Sequence, residues 1–453
     1  MTINELKRVY FLGIGGIGMS ALARYFINIG VGVYGYDLTP TDITDNLTRE
    51  GAIIHFDENI SEIPENTDLV IYTPAINKQH AEYQYFLKNN IPILKRSQIL
   101  GMISDTAPTI AVAGTHGKTT TTAMISHLLN PEEKIIAFIG GISKNLNSNF
   151  VMNSPYSTVV AEADEYDRSF LTLHPDTAVI TSMDADHLDI YGGKKQLEES
   201  FQLFAGQVNA NGTLIINESV YSLIEHPHKI SYGFDPSSDF YATDIRLFPN
   251  KAIFNIHFWN RTFENVQLSV TGSYNVMNAV AAFAAVWMEF ERRGKAVDSD
   301  LIIRKLSEFT GVKRRFDFQI EKEDLVFIDD YAHHPEEIRA FITAVRKVYP
   351  SKKITGIFQP HLFSRTRDFG AQFAEVLALL DKVILLEIYP ARELPIPGID
   401  ASWLLNQIGI KEKVLLAKEE LIPYLKKNRP EVLVTIGAGN IDKLVPEIKE
   451  SLE

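Results

Sequence analysis

The segment "AVAGTHGKTTTT" holds the residue types needed to grip a nucleotide phosphate chain. An apolar run ends at Gly114, a loop through Thr115, His116 and Gly117 follows, and Lys118, Thr119 and Thr120 open what reads as a helix. Backbone N–H groups of such a turn, with a helix N-terminus behind them, present donors to phosphate oxygens. Lys118 is placed to reach the terminal phosphates and the Thr119 hydroxyl to face a divalent cation. The spacing departs from G-x-x-x-x-G-K-[ST], because Val112 stands where the first glycine would be. A glycine turn capped by threonines is the competing reading; the strand–loop–helix context favours a phosphate loop.

Two more apolar runs end in acidic clusters. "STVVAEADEYDRSF" places Glu162, Asp164, Glu165 and Asp167 at and beyond a strand end, and "TAVITSMDADHLDIYG" places Asp184, Asp186, His187 and Asp189 likewise. In a parallel sheet, ligands bind at the carboxyl ends of the strands. A carboxylate there, close to Lys118, suits a magnesium ion bridging ATP phosphates. His187 is a candidate ligand or acid–base group; solvated carboxylates and a structural histidine are the plain alternatives. Convergence favours function, since three strands of one unit would bring Lys118, Glu162 and His187 to one edge.

Near the start, "FLGIGGIGMS" breaks an apolar run with Gly13, Gly15, Gly16 and Gly18 before helical periodicity begins. Such a turn lets a backbone approach a diphosphate, which fits a nicotinamide dinucleotide or another diphosphate ligand. Asp37, closing "GVGVYGYD", is either a ribose contact or a solvated loop carboxylate. Asn275 and Asn278 share a helix face at i, i+3, and helix capping explains either one equally. Arg314 and Arg315 in "GVKRRF" are a nucleotide contact or a solvated pair. "IDDYAHHPEE" supplies Asp329, Asp330, Tyr331, His333 and His334, and "FQPHLFSRTR" supplies His361, Arg365 and Arg367. Two strand-end clusters rich in His and Arg point to anion recognition, with surface loops as the alternative.

The elements that must position these groups alternate. "RVYFLGIG", "GVGVYGYD", "GAIIHF" and "DLVIYTPAI" read as strands around the helix "MSALARYFINIG"; "TIAVAG" starts a second series after Pro108. "GSYNVMNAVAAFAAVWMEFERRG" reads as a long apolar helix that Gly294 terminates. A third series holds "DLVFIDDY", "KITGIFQP", "KVILLEIYP" and "EVLVTIGAGN". Strands alternating with helices predict α/β units with parallel sheets, here three of them with joints near residues 105 and 315.

The 453 residues exceed one ordinary core. With 45% hydrophobic and 22% charged residues the composition is globular. A net charge of −13 argues against nucleic-acid binding. No cysteine is present, so disulfides and thiolate chemistry are excluded. The N-terminus runs into a strand rather than a signal peptide, and no apolar stretch reaches the roughly 18–20 residues of a membrane span. The expectation is a cytoplasmic protein without membrane insertion.

Taken in order, "GIGGIGMS", "GTHGKTTTT", "EADEYDRSF", "MDADHLD", "YNVMNA", "KRRF", "DDYAHHP" and "FQPHLFSRTRDF" resemble the Mur ligase superfamily, ATP-dependent amide-bond-forming enzymes of peptidoglycan synthesis. The resemblance spans essentially the whole chain and is strongest to the alanine-adding branch. It implies a Rossmann-like N-terminal domain (1–105) that binds a UDP sugar and a central P-loop-type ATPase domain (106–315). A Rossmann-like C-terminal domain (316–453) would close over ATP and bring in the amino acid. The implied substrates are UDP-N-acetylmuramate, L-alanine and ATP, with Mg²⁺ or Mn²⁺, in a monomer or homodimer. The implied reaction phosphorylates the lactyl carboxylate to an acyl phosphate, which the L-alanine amine attacks, expelling phosphate.

By motif position, the resemblance assigns the UDP sugar to Gly13, Gly15, Gly16, Ile17, Gly18, Asp37 and Thr73. It assigns ATP to Gly114, Thr115, His116, Gly117, Lys118, Thr119, Thr120, Asn275, Asn278 and Arg315, and the metal to Thr119, Glu162 and His187. Lys118, Glu162, His187, Arg315 and Asp330 form the implied catalytic set, and Tyr331, His333 and Arg365 the amino-acid end. Three positions depart from common patterns of the superfamily. Gln202 stands where several members carry a carbamylated lysine, an absence usual in the alanine-adding branch. Leu362 replaces an arginine, and Tyr274 a frequent histidine. The rival readings are a tripeptide-recycling ligase of the same superfamily and an NAD-dependent oxidoreductase, the latter leaving the Lys118 loop unexplained.

Overall fold

The computed structural model describes every residue except 1–2, 185–190, 192 and 392. Five short β-branched and aromatic runs form the first sheet: β1 (Arg8–Leu12), β2 (Gly32–Tyr36), β3 (Ile53–His55), β4 (Leu69–Tyr72) and β5 (Ile93–Lys95), in the order β3-β2-β1-β4-β5. All its neighbouring pairs are parallel. The order reverses between β1 and β4, which opens a crevice at their carboxyl ends. The helix Ile17–Asn28 follows β1 and packs Tyr25 and Phe26 into the core.

The second sheet has ten strands: β6 (Thr109–Ala113), β7 (Ile135–Ser143), β8 (Ser148–Met152), β9 (Thr158–Glu162), β10 (Thr177–Ile180), β11 (Thr213–Asn217), β12 (Lys229–Gly233), β13 (Phe240–Phe248), β14 (Lys251–Phe258) and β15 (Arg261–Leu268). Their order is β15-β14-β13-β12-β11-β10-β6-β9-β7-β8. β6 is buried along its full length, as a strand covered on both faces must be. It lies between β9 and β10, parallel to both, so the chain crosses from one side of β6 to the other after β9. That crossing is a second switch point. The β7–β8 antiparallel hairpin and β13–β15 are additions that the alternating sequence pattern did not announce.

By contact density the chain divides into two units, one of Met1–Thr243, Phe254–Val266 and Met277–Phe309, the other of Asp244–Ile253, Gln267–Val276 and Thr310–Glu453. The first unit carries the first sheet and most of the second. Val9, Phe11 and Phe26 beside the first sheet belong to the same apolar cluster as Ala111, Phe138 and Phe170 beside the second. Tyr25 and Phe138 bring their rings to 6.2 Å across this junction.

A polar clasp crosses it too. The fully buried Asn149 of β8 donates from Nδ2 to the Ile17 carbonyl and to Ser20 Oγ (3.0 Å), while its Oδ1 accepts from Arg24. Its removal would take one hydrogen bond from each of these groups, which keep other partners (Ser20 Oγ on the Ile17 carbonyl, Arg24 on Glu50), at about 0.5–1.5 kcal/mol per bond. Asn149→Ala is expected to lower the melting temperature by several degrees; a shift under one degree would show that the clasp is dispensable.

The second unit is built on β16 (Asp317–Glu321), β17 (Val326–Asp330), β18 (Ile354–Phe358), β19 (Lys382–Leu385), β20 (Lys413–Leu415) and β21 (Val432–Ile436), ordered β16-β17-β21-β18-β19-β20. All pairs are parallel except β16–β17. Apolar clusters cover both faces, one around Phe341, Phe373 and Leu404, the other around Phe327, Leu425 and Ile448. The long helix runs Ser273–Arg292, with Gly294 beyond it at φ +63, the left-handed stop expected there.

Candidate active site

The carboxyl end of β6 turns through Gly114–Gly117 into the helix Lys118–Leu129. Gly114 (φ +130) and Gly117 (φ +86) adopt backbone geometry that other residues resist. Space demands glycine as well: a Cβ on Gly114 would strike Thr181 Oγ1, and one on Gly117 would come 2.7 Å from Asn278 Oδ1. Residues just after β10 brace the loop. Ser182 Oγ accepts from the His116 N–H (2.9 Å) and lies 2.8 Å from Thr115 Oγ1, which in turn accepts from the Asp184 N–H at 2.9 Å. Thr120 is buried in the first helical turn.

Lys118 folds back over this loop, donating to the Gly114 carbonyl and to Glu165 Oε1 (2.9 Å). The pair is enclosed, with side-chain exposures of 13% for Lys118 and 2% for Glu165. Burial works against the ammonium, but the carboxylates of Glu165, Glu162 and Asp164 outweigh it and hold Lys118 above the usual lysine range. Glu162, the last residue of β9, accepts from Thr119 Oγ1 (3.1 Å) through Oε1 and from the Gly140 N–H (2.9 Å) through Oε2. A hydroxyl and a carboxylate side by side form a hard oxygen pair suited to Mg²⁺, which takes one or two carboxylates plus phosphate oxygens and water. Among the described residues no group of three or more His, Asp or Glu gathers as a self-sufficient metal cage. His187, with Asp186 and Asp189, lies outside the described residues.

The opening glycine turn sits at the carboxyl end of β1. Asp37, just past β2, accepts from the Gly15 N–H at 2.7 Å, so its carboxylate braces the turn. Thr73, just past β4, packs against Gly13, where a Cβ would meet its methyl at 2.7 Å. Gly16 caps the helix that begins at Ile17. A Cβ on Gly18 would lie 2.7 Å from Arg96 Nη1, and the same guanidinium reaches Asp164 at 3.0 Å. Arg96 therefore spans from the glycine turn to the acidic segment that flanks Lys118, a bridge absent from the sequence-based set. Beside it, a cavity of about 470 Å³ is lined by Tyr72, Tyr83, Lys95 and Asp167, the last two paired at 2.7 Å.

In the second unit the two adjacent arginines separate. Arg314 (φ +63) pairs with the buried Asp329 at 3.1 Å and donates to the Gly437 carbonyl. Arg315 sits 3.7 Å from Glu337 and, with Arg314, flanks the Tyr331 ring. Asp330 ends β17 inside the protein, accepting from the N–H groups of Phe316 (2.7 Å) and Ala332 (2.8 Å). Burial pushes its carboxyl up to about 7 against the pull of Arg315 and these two donors. Tyr331, His333 and His361 form a chain of rings, with His361 stacked on Tyr389. Arg365 lies in the first turn of the helix Phe363–Leu377 after β18, whereas Arg367 pairs with its neighbour Asp368 on the surface. Sequence reading missed Gln359, which donates to Asn440 Oδ1 at 3.0 Å and ties the ends of β18 and β21 together. Asn275 donates to the Thr271 carbonyl (2.7 Å), while Asn278 meets Gly117 of the turn between β6 and its helix.

Three family descriptions match in series: "Mur ligase family, catalytic domain" over residues 8–107, "Mur ligase middle domain" over 112–286 and "Mur ligase, glutamate ligase domain" over 314–439. Among similar proteins, the UDP-N-acetylmuramate–L-alanine ligase of Flavobacterium psychrophilum is 47% identical over all of both chains. That of Christiangramia forsetii is 46% identical over 99% of this chain and 98% of the relative. Among solved structures, the UDP-N-acetylmuramate-alanine ligase of Thermotoga maritima superposes with a TM-score of 0.82 at 28% identity, covering 98% of each chain. A murein peptide ligase of Psychrobacter arcticus shares the fold at TM-score 0.69 and 22% identity. With its motifs, its sheets and its full length accounted for, this chain belongs to the Mur ligase family.

Proposed function

We propose that this chain joins L-alanine to the lactyl carboxylate of UDP-N-acetylmuramate at the expense of ATP, in peptidoglycan precursor synthesis. The enclosed Lys118–Glu165 pair beside Thr119 and Glu162 carries this reading, and the full-length identity to L-alanine ligases supports the choice of substrates. A lactyl carboxylate oxygen attacks the γ-phosphorus and ADP leaves, giving an acyl phosphate. The neutral amine of L-alanine then adds to the carbonyl carbon, loses a proton, and phosphate departs with the electron pair of the C–O bond. Phosphate is a far better leaving group than oxide, which is what the ATP supplies.

In this reading residues 1–105 hold the UDP sugar, 106–315 hold ATP, and 316–453 bring the amino acid. Lys118 neutralises the phosphoryl group in flight, a charge effect that a dry site magnifies. Thr119 and Glu162, with His187, would hold Mg²⁺, which would supply Lewis-acid neutralisation of the phosphate oxygens. Asn275, Asn278 and Arg315 would contact the nucleotide, and Asp330 would order the segment carrying Arg315 through the Phe316 N–H. Tyr331, His333 and Arg365 would line the amino-acid end. The site of action is the cytoplasm, in a monomer or homodimer.

The deciding assay is phosphate release with UDP-N-acetylmuramate and either L-alanine, glycine, L-serine or L-Ala-γ-D-Glu-meso-diaminopimelate. L-Alanine should be preferred, with glycine and serine leaking through because one methyl or hydroxyl discriminates by only about 1–3 kcal/mol. Preference for the tripeptide would replace this reading with the recycling ligase. Asp37 gives a narrower check. Without its bond to Gly15 the turn loses about 1–1.5 kcal/mol of bracing, so Asp37→Ala is expected to raise KM for the UDP sugar about tenfold. KM for ATP should stay within twofold; a matching rise in both would mean that Asp37 supports the whole fold.

A further inference from the structure

The β7 residue Gly140 lies against the carboxylate of Glu162. Its N–H donates to Oε2 at 2.9 Å, and a Cβ built on it would lie 2.5 Å from Glu162 Cδ and from Oε1, and closer still to Oε2. A Cβ does not approach a carboxylate this closely unless something moves. The backbone of Gly140 does not itself call for glycine, because its φ is not in the left-handed region. The demand is for space and for one N–H. The other oxygen of Glu162 faces Thr119 Oγ1 at 3.1 Å, so the carboxylate is held from two sides, by the β7 backbone and by the first turn of the phosphate-loop helix.

We infer that Gly140 is a positioning residue for the divalent-metal ligand Glu162: its missing side chain makes room for the carboxylate and its N–H fixes the carboxylate's rotation toward Thr119. The inference rests on the reading of Glu162 as a metal ligand. It also gives the β7–β8 hairpin a purpose. β7 pairs with β9 only up to Phe138–Ala161, and just beyond that register the strand supplies the N–H on which Glu162 rests. The same hairpin is anchored at β8 by Asn149 on the first turn of the glycine-turn helix, so the carboxylate is set against a braced element.

An added methyl at position 140 must push the Glu162 carboxylate off its N–H and away from Thr119. Shortening the acid by one methylene draws it back, so Glu162→Asp should relieve the clash that Gly140→Ala creates. The experiment measures Mn²⁺ binding to the full chain in the presence of ADP by electron paramagnetic resonance, alongside steady-state turnover. UDP binding and the melting temperature serve as controls for folding. Gly140→Ala is expected to weaken Mn²⁺ binding at least tenfold and lower kcat, with UDP affinity within twofold. Glu162→Asp alone should also lose at least tenfold, and the double variant should bind Mn²⁺ more tightly than the product of the two losses. Purely multiplicative losses, or Mn²⁺ affinity in Gly140→Ala within twofold of the parent, would overturn the positioning role. Unchanged Mn²⁺ binding in Glu162→Gln would instead overturn the metal-ligand reading and this inference with it. If Gly140→Ala fails to fold, Gly140→Ala/Glu162→Asp should fold and bind; failure of both to fold would assign Gly140 to the core rather than to the metal ligand.

Discussion

Replacing Lys118 with methionine should lower ATP-dependent phosphate release by about 10³-fold, equivalent to about 4 kcal/mol of lost transition-state stabilisation. Two effects act together. Under the proposed function the ammonium facing the transferring phosphoryl group disappears, and Glu165, whose side chain is only 2% exposed, is left without its cationic partner. Breaking such a pair from one side costs about 3–5 kcal/mol of stability, so the single variant should also melt well below the parent. These contributions separate in the double variant Lys118→Met/Glu165→Gln. With neither charge present the melting temperature should recover most of its loss, while turnover stays near the single variant's level. Turnover that returned with stability would make Lys118 a structural residue; a Lys118→Met enzyme within tenfold of the parent would remove the phosphate loop from the chemistry. Phosphate release and thermal unfolding on the same preparations decide it.

The asymmetry between Lys118 and Glu165 also marks what could be read from the sequence. Lys118 is legible because its motif is local: strand, glycines, lysine and threonines follow in one short stretch, and the structure folds them into one turn. Glu165 sits in "EADEYD", where nothing in the spacing says which carboxylate turns inward. The chain there bends through two left-handed residues, Asp167 (φ +53) and Arg168 (φ +54), a path that no periodicity describes. Glu165 is thereby buried against Lys118, while Asp164 turns to Arg96 and Asp167 to Lys95. Gly140 was illegible for a related reason. Its partner is 22 residues away, and an isolated glycine pair in a strand reads as a bulge or a weak edge until the carboxylate above it is seen.

The fold class was legible from alternation, and the sheets are parallel where the apolar runs are continuous. The unit boundary was harder. The change from first to second sheet near residue 105 is visible as a new strand series, yet the two share one apolar cluster through Tyr25, Phe138 and Phe150. Those residues read individually as ordinary core positions, and only packing reveals that they belong to the same core. The "KRRF" pair shows the limit at the other joint. Two arginines in sequence look equivalent, but the left-handed backbone at Arg314 and Phe316 (φ +47) turns Arg314 toward Asp329 and Gly437 and leaves Arg315 beside Glu337 and Tyr331.

Asp330 should make the stability of the second unit fall as pH rises through neutrality. Burial lifts its carboxyl to about 7, from an ordinary value near 3.8 in the unfolded chain. An acid whose pKa is raised by folding binds its proton more tightly in the native state, so its contribution is complete below about pH 4 and is lost as pH climbs through 7. The span corresponds to a contribution on the order of 4 kcal/mol. Arg315 opposes the rise, Glu337 adds to it, and the Phe316 and Ala332 N–H groups favour the ionised form. Tyr274, whose ring packs near Phe316, is in turn pushed well above the ordinary tyrosine range, first by its own burial and then by the Asp330 charge.

Asp330→Asn removes the proton but keeps the shape, at a pH-independent cost of about 1–3 kcal/mol, because one of the two N–H donors then meets an amide NH₂. Asp329 and Glu165 are also pushed up by burial, so the absolute curve mixes several groups, whereas the difference between parent and variant isolates Asp330. Measured by denaturant unfolding at pH 5, 6, 7 and 8, that difference should shrink from pH 5 to 7 and level off beyond, because over that span the unfolded parent has given up a proton that the native parent still holds. Two parallel curves would show that the Asp330 carboxyl is ionised throughout. A carboxyl that needs no proton at pH 5 would then be paid for by Arg315 and the two N–H donors alone, and the raised pKa would play no part in how this segment is held.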